Sequence, residues 1–151
     1  MSSLVLRLHQ LGLLLDEVMR DRLRDIDLST LQAHVLVLAS TRQAGVTVHD
    51  LRTNLGISSQ RMSQILRTLE HQRLIERMTD EVDRRFVVVL LTPTGRQTAR
   101  LVRDAAMDLE ERLIDSSPGG DILQGLTVAE LIGRSRWVGP GRVRVRMPDW
   151  S

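Results

Sequence analysis

Cysteine, lysine and tyrosine are all missing from this 151-residue chain. Without cysteine there are no disulfides, thiolate metal sites, cysteine nucleophiles or thiol switches. Without lysine there is no phosphate loop of the G-x-x-x-x-G-K type, and no G-x-G-x-x-G turn is present either. Aromatic residues are reduced to Phe86, Trp137 and Trp150. No apolar run approaches the length of a membrane span, and Met1-Ser2-Ser3-Leu4 offers no basic segment ahead of an apolar one. The expectation is therefore a cytoplasmic protein without a membrane partner. His9, His34, His49 and His71 are 25, 15 and 22 residues apart, so no two share a helical turn as metal ligands. No serine lies in a nucleophile elbow. The acidic stretch Asp104, Asp108, Glu110, Glu111 and Asp115 reads as a solvated helix face rather than a carboxylate catalyst. No enzyme and no cofactor are expected.

What remains is an ordinary globular composition, 42% hydrophobic and 26% charged, sized for one domain or one domain with an arm. All 21 positive residues are arginine, and the net charge is only +2. Its distribution is uneven. Residues 1–51 hold five Arg and six acids, and residues 52–103 hold ten Arg and five acids. Residues 104–133 hold one Arg and seven acids, and residues 134–151 five Arg and one acid. A basic middle between neutral and acidic flanks points to contact with a polyanion, although a solvated charged face has the same signature.

Leu4, Leu8, Leu11, Leu15, Val18 and Met19 recur at helical spacing and predict a first helix over about 4–24. Val5, Leu6, Leu13 and Leu14 add apolar surface on its other side, more than a lone helix on a small monomer uses, which suggests a second chain. Ser29-Thr30-Leu31-Gln32 is a capping box opening a second helix to about Thr41. Thr47-Val48-His49-Asp50 opens a short third helix, Gly56-Ile57 turns, and Ser58 caps a fourth over about 59–72. In that fourth helix Met62, Ile65, Leu66 and Leu69 face inward. Ile75–Thr79 and Phe86–Thr92 are strand-like, joined by the charged tip Asp80-Glu81-Val82-Asp83-Arg84-Arg85. Thr92-Pro93 starts a helix over about 93–115, with Val102, Ala106, Leu109 and Leu113 on one seam. A short helix near 127–132 and an alternating segment at 142–146 follow, within a basic arm over 134–151.

Helix, glycine turn, helix and hairpin, in that order, make a winged helix-turn-helix in a mainly α (α+β) chain. Ser58, Ser59, Gln60, Arg61, Ser63, Gln64 and Arg67 place short polar and forked groups on one helix face. Such groups read base edges in the major groove: Gln pairs with adenine and Arg with guanine. At the wing, a guanidinium suits the negative potential of a narrow minor groove. Asp83 reads as orienting Arg85, with Arg84 a nearby phosphate contact. A solvated ion pair in a turn is the bland alternative.

These stretches resemble the MarR family of regulators, over about Leu28 to Arg96. The likeness is densest at Leu69-Glu70, Leu74-Ile75-Glu76-Arg77 and the wing signature Asp83-Arg84-Arg85-Phe86 through Leu91-Thr92-Pro93-Thr94-Gly95. The resemblance implies a homodimer with a helical dimerisation region, binding a pseudo-palindrome in double-stranded DNA. It also implies a small aromatic or amphipathic effector, with no pocket residue identifiable. The chain then divides into a dimerisation helix (1–27), a winged lobe (28–96), linking and dimerisation helices (97–133) and the basic arm (134–151). The implied function is a DNA-binding transcriptional regulator, a ligand-responsive repressor. The alternative is a protein-interaction module on a winged-helix scaffold. Arg52 and Arg73 depart from the family's usual alanine and glycine, and Gly119, Gly120, Gly125, Gly133, Pro140 and Gly141 interrupt the region of its last helix. A left-handed backbone at residue 73 would cost arginine on the order of 1 kcal/mol relative to glycine.

Overall fold

The computed structural model describes residues 4–116 and 148–150. Five α-helices and three short strands follow one another as α1 (Leu4–Arg22), α2 (Thr30–Ala39), β1 (Val46–Thr47), α3 (Val48–Leu55), α4 (Ser59–His71), β2 (Ile75–Thr79), β3 (Val87–Leu91) and α5 (Pro93–Ser116). The helix expected near 127–132 and the alternating segment 142–146 lie outside the described residues.

Local chemistry sets most of the boundaries. Ser29 closes a full capping box: its hydroxyl accepts from the Gln32 amide, and the Gln32 side chain accepts from the Ser29 amide at 2.8 Å. Thr47 caps α3 by accepting from the Asp50 amide, and Gly56 ends it in a left-handed conformation at φ 62°. Ser58 caps α4 by accepting from the Arg61 amide. The first helix stops at Arg22, earlier than its apolar spacing suggests, and a 3-10 turn at Arg24–Ile26 carries the chain into α2. Leu23, fully buried, anchors that turn.

The strands form an antiparallel sheet ordered β1-β3-β2, with Ile75 opposite Leu91, Thr79 opposite Val87 and Val46 opposite Val89. Strand β1 is a finding: two residues are too few to show any period in a sequence. It is made possible by Gly45, whose φ of 87° is strained for other residues and whose absent Cβ would lie 2.5 Å from Val88 and 2.7 Å from Leu90. The apolar face of α2 lies at the centre, where Ala33, Val35, Leu36 and Ala39 pack with Leu51, Met62, Leu66, Leu69, Ile75 and Val89 into one core. The four inward residues expected in α4 are all buried there.

The passage from α4 to the wing is closely knit. Arg73 adopts φ 57°, the left-handed conformation its position demands of a glycine-like residue. The Thr92 hydroxyl lies 2.8 Å from the Arg73 carbonyl, to which it donates, and accepts from the Gly95 amide at 3.0 Å, capping α5. A Cβ on Gly95 would fall 1.8 Å from the Leu74 carbonyl oxygen. The Leu91-Thr92-Pro93-Thr94-Gly95 motif is thus a joint: threonine bonds both sides of it, and glycine lets helix and turn touch.

Helices α1 and α5 are tied by Arg22 and Asp108 at 2.5 Å. Their outer faces keep Leu6, Leu11, Leu13, Leu14 and Val18 of α1, and Leu101 and Met107 of α5, in solvent. Among the described residues no helix is long and apolar enough to cross a membrane.

Candidate nucleic-acid interface

Helix α4 is amphipathic in the strict sense. Its apolar stripe is sealed in the core, and Ser58, Ser59, Gln60, Arg61, Gln64 and Arg67 are exposed. Ser63 departs from the expected arrangement and is half-buried. Two further side chains are occupied rather than free. The Ser58 hydroxyl is engaged as the cap, and Arg67 Nε donates back to the Ser63 carbonyl at 3.3 Å. Gln60, Arg61 and Gln64 therefore carry most of the unspent hydrogen-bonding capacity of this face.

Arg52, on α3, was visible in the sequence only as a departure from alanine. Its guanidinium donates to the Ser59 hydroxyl, which fastens α3 to the first turn of α4 and puts a positive charge beside that helix's amino end. Residues 70 and 77 do the same at the other end: Arg77 and Glu70 pair at 2.5 Å and bind α4 to strand β2. The bond to Glu70 is the main cause that raises the Arg77 pKa above its ordinary value. Helix and wing are thereby fixed to one another by an ion pair as well as by the core. Sequence spacing alone could not pair residues seven apart across a turn.

The hairpin tip differs from its sequence reading in one respect. Asp80 is not part of the exposed charged tip but is buried at 3% exposure. Its carboxylate accepts from the amides of Val82 at 2.7 Å and Asp83 at 3.2 Å. An Asx-type turn of this kind organises the loop from within. Beyond it, Asp83 accepts from Arg85 three times: from the backbone amide at 3.1 Å, from Nε at 3.0 Å and from the terminal nitrogen at 2.8 Å. The bidentate pair holds the Asp83 carboxyl down at about 2 and raises the Arg85 pKa, the hydrogen bonds being the leading cause in each. Arg84 and Arg85 are both exposed.

A cleft of about 290 Å³ opens between α1, the start of α2 and α4, lined by Asp16, Arg20, Ser29, Thr30, Arg61 and Gln64 among others. The buried Thr30 hydroxyl has no hydrogen-bond partner among the described residues. No group of three metal-ligating side chains occurs among them.

Comparison with known proteins fits this architecture. Residues 26–85 match the family model described as MarR family. Among solved structures, a MarR-family transcriptional regulator from Rhodococcus sp. RHA1 is similar at 20% identity and TM-score 0.79, over 91% of this chain and 100% of that one. CouR from Rhodococcus jostii RHA1, bound to p-coumaroyl-CoA, is similar at 18% identity and TM-score 0.78, over 91% and 96%. The MepR–DNA complex of S. aureus is similar at 20% identity and TM-score 0.72, over 89% and 98%. No curated protein matches the sequence. With its helix pair, its wing and the motif that joins the wing to α5, this chain is similar to the MarR family, whose model matches residues 26–85, and it has the winged-helix fold.

Proposed function

We propose that this protein is a sequence-specific DNA-binding transcriptional regulator, acting as a homodimer and as a repressor. The observation that carries the reading is the rigid union of α4 with a wing whose Arg85 is held outward by Asp83. Helix α4 would enter the major groove with Gln60, Arg61 and Gln64 toward base edges, while Ser58, Ser59, Ser63 and Arg67 lie along the backbone. Arg85 would meet the adjacent minor groove with Asp83 as the brace, and Arg84 a nearby phosphate. Arg52 joins them as a phosphate contact, because a guanidinium beside a helix amino end is electrostatically satisfied by an anion. MepR, similar in fold, is known in complex with DNA.

The dimer reading rests on the exposed leucines of α1 and on Leu101 and Met107 of α5. Residues 1–27 and 97–133 would form the dimer region around the 28–96 lobes, with 134–151 as the arm. The cleft beside Arg61 and Gln64 supports response to a small aromatic or amphipathic effector, since its occupant would touch residues assigned to base reading. CouR offers a parallel in binding p-coumaroyl-CoA.

Selection of bound sites from random duplex DNA tests the reading. A pseudo-palindrome, with affinity falling steeply as salt rises, is the expected result. Absence of any enriched site, or salt-independent binding, would favour the protein-interaction alternative.

A further inference from the structure

Strand β2 carries two consecutive charged residues that point to opposite faces, as strand geometry requires. Arg77 faces α4 and is held by Glu70. Glu76 faces the other way and is also held, by a residue 74 positions further along: Trp150 donates its indole N–H to Glu76 Oε1 at 3.1 Å. The same indole ring lies 4.8 Å from the Arg96 guanidinium carbon, in cation–π range. Arg96 in turn donates to the carbonyl of Leu91, the last residue of β3, at 2.9 Å. One tryptophan thus closes a ring of contacts through β2, β3 and the first turn of α5, at the base of the wing.

We propose that Trp150 is a positioning residue for the wing, clamping the hairpin base to α5 and so fixing the angle at which Arg85 is presented to DNA. This rests on the DNA-binding reading above. Strand β1 adds only two paired residues to the hairpin, at Val88 and Val89 of β3, and leaves β2 at the sheet edge, so the direction of β2 depends on what else holds its base. The tip organiser Asp80 stands four residues beyond Glu76, roughly 13 Å along the strand at about 3.3 Å per residue. A tilt of roughly 10° at the base therefore moves the tip by about 2 Å over that strand length, enough to break a guanidinium's fit in a narrow groove. Arg77 resists rotation from one face only. With Trp150 on Glu76, β2 is gripped from both. An indole suits the position because a flat ring covers the guanidinium while the N–H at its edge donates to the carboxylate.

The test uses the full chain and the best duplex recovered by selection, in a double-mutant cycle of Trp150→Ala with Arg85→Ala. Trp150→Ala is expected to weaken binding about tenfold in the wild-type background and less than twofold in the Arg85→Ala background, because the clamp acts through the wing tip. Glu76→Ala should show the same non-additivity, and Glu76→Gln, which keeps the accepting oxygen, should restore most of the affinity. A second readout uses a Trp137→Phe chain, where Trp150 is the sole indole and its emission should shift to the red on Glu76→Ala. Wild-type affinity for Trp150→Ala, or an equal loss in both backgrounds, overturns the clamp. If Arg85→Ala itself binds as wild type, the DNA reading of the wing fails and the clamp's role fails with it.

Discussion

Asp83 and Arg85 form a closed bidentate pair at the wing tip, with both carboxylate oxygens engaged and the Arg85 amide folded onto one of them. The pair lowers the Asp83 pKa to about 2. For a depressed carboxylate the sign is fixed: its contribution is present above the unfolded pKa and is lost as pH falls through the folded one. The stability that the pair contributes should therefore decline below about pH 4, and Arg85 should be released as pH falls through about 2. Carboxyl-carbon NMR should find Asp83 titrating near 2 in the wild type and near the ordinary value of about 3.9 in Arg85→Ala. Equal values in the two proteins would mean that the pair does not form in solution.

Binding strength and binding preference should separate by residue. Arg85→Ala should weaken binding to all duplexes and reduce the slope of log affinity against log salt by about 1. Gln64→Ala or Arg61→Ala should instead flatten preference at particular positions, by roughly 1–3 kcal/mol each. Competition gel shifts against single-base variants of the selected site measure both. A uniform loss from Gln64→Ala would place that side chain on the backbone rather than on a base.

The joint between α4, wing and α5 makes opposite predictions for two neighbouring positions. Arg73 sits at φ 57°, so Arg73→Gly should stabilise the fold by about 1 kcal/mol. Gly95 faces the Leu74 carbonyl so closely that Gly95→Ala should destabilise by roughly 3 kcal/mol, as overpacking does. Urea unfolding of both variants checks the pair of signs. Neutral behaviour of Gly95→Ala would show that helix and turn can part at this joint without loss.

Asp80 should matter more to the wing than its exposed neighbours do. Asp80→Ala leaves the Val82 and Asp83 amides without their acceptor, at a cost of roughly 1–3 kcal/mol. Hydrogen exchange should report faster loss at those two amides, with Arg85-dependent DNA affinity falling alongside. Unchanged protection would assign the turn to its backbone bonds alone.

The leucines of α1 carry the dimer prediction. Leu13 and Leu14 are 59% and 54% exposed, and Leu14→Glu would put an unpaired charge into any interface made there. Self-association should weaken at least tenfold, about 1.4 kcal/mol or more. Sedimentation equilibrium reads this directly, and an unaltered dimer would move the interface elsewhere.

The sequence by itself determined α1 to α5, the hairpin and the face of α4 that turns outward. These follow from short-range rules: a cap three residues from its partner, an apolar residue every third or fourth position, a charged loop between two apolar strands. It also carried the wing motif, because Thr92 and Gly95 act within a single turn. The tertiary structure decided whatever depends on residues that are distant in the chain or ambiguous in type. Asp80 looked like any acid of an exposed tip until burial showed it bonding the turn from inside. The Glu70–Arg77 tie crosses a turn, β1 exists only because β3 is there to receive it, and Trp150 meets Glu76 and Arg96 from far along the chain. Periodicity records which way a residue faces relative to its own element. Which element it then meets is fixed only when the chain closes on itself.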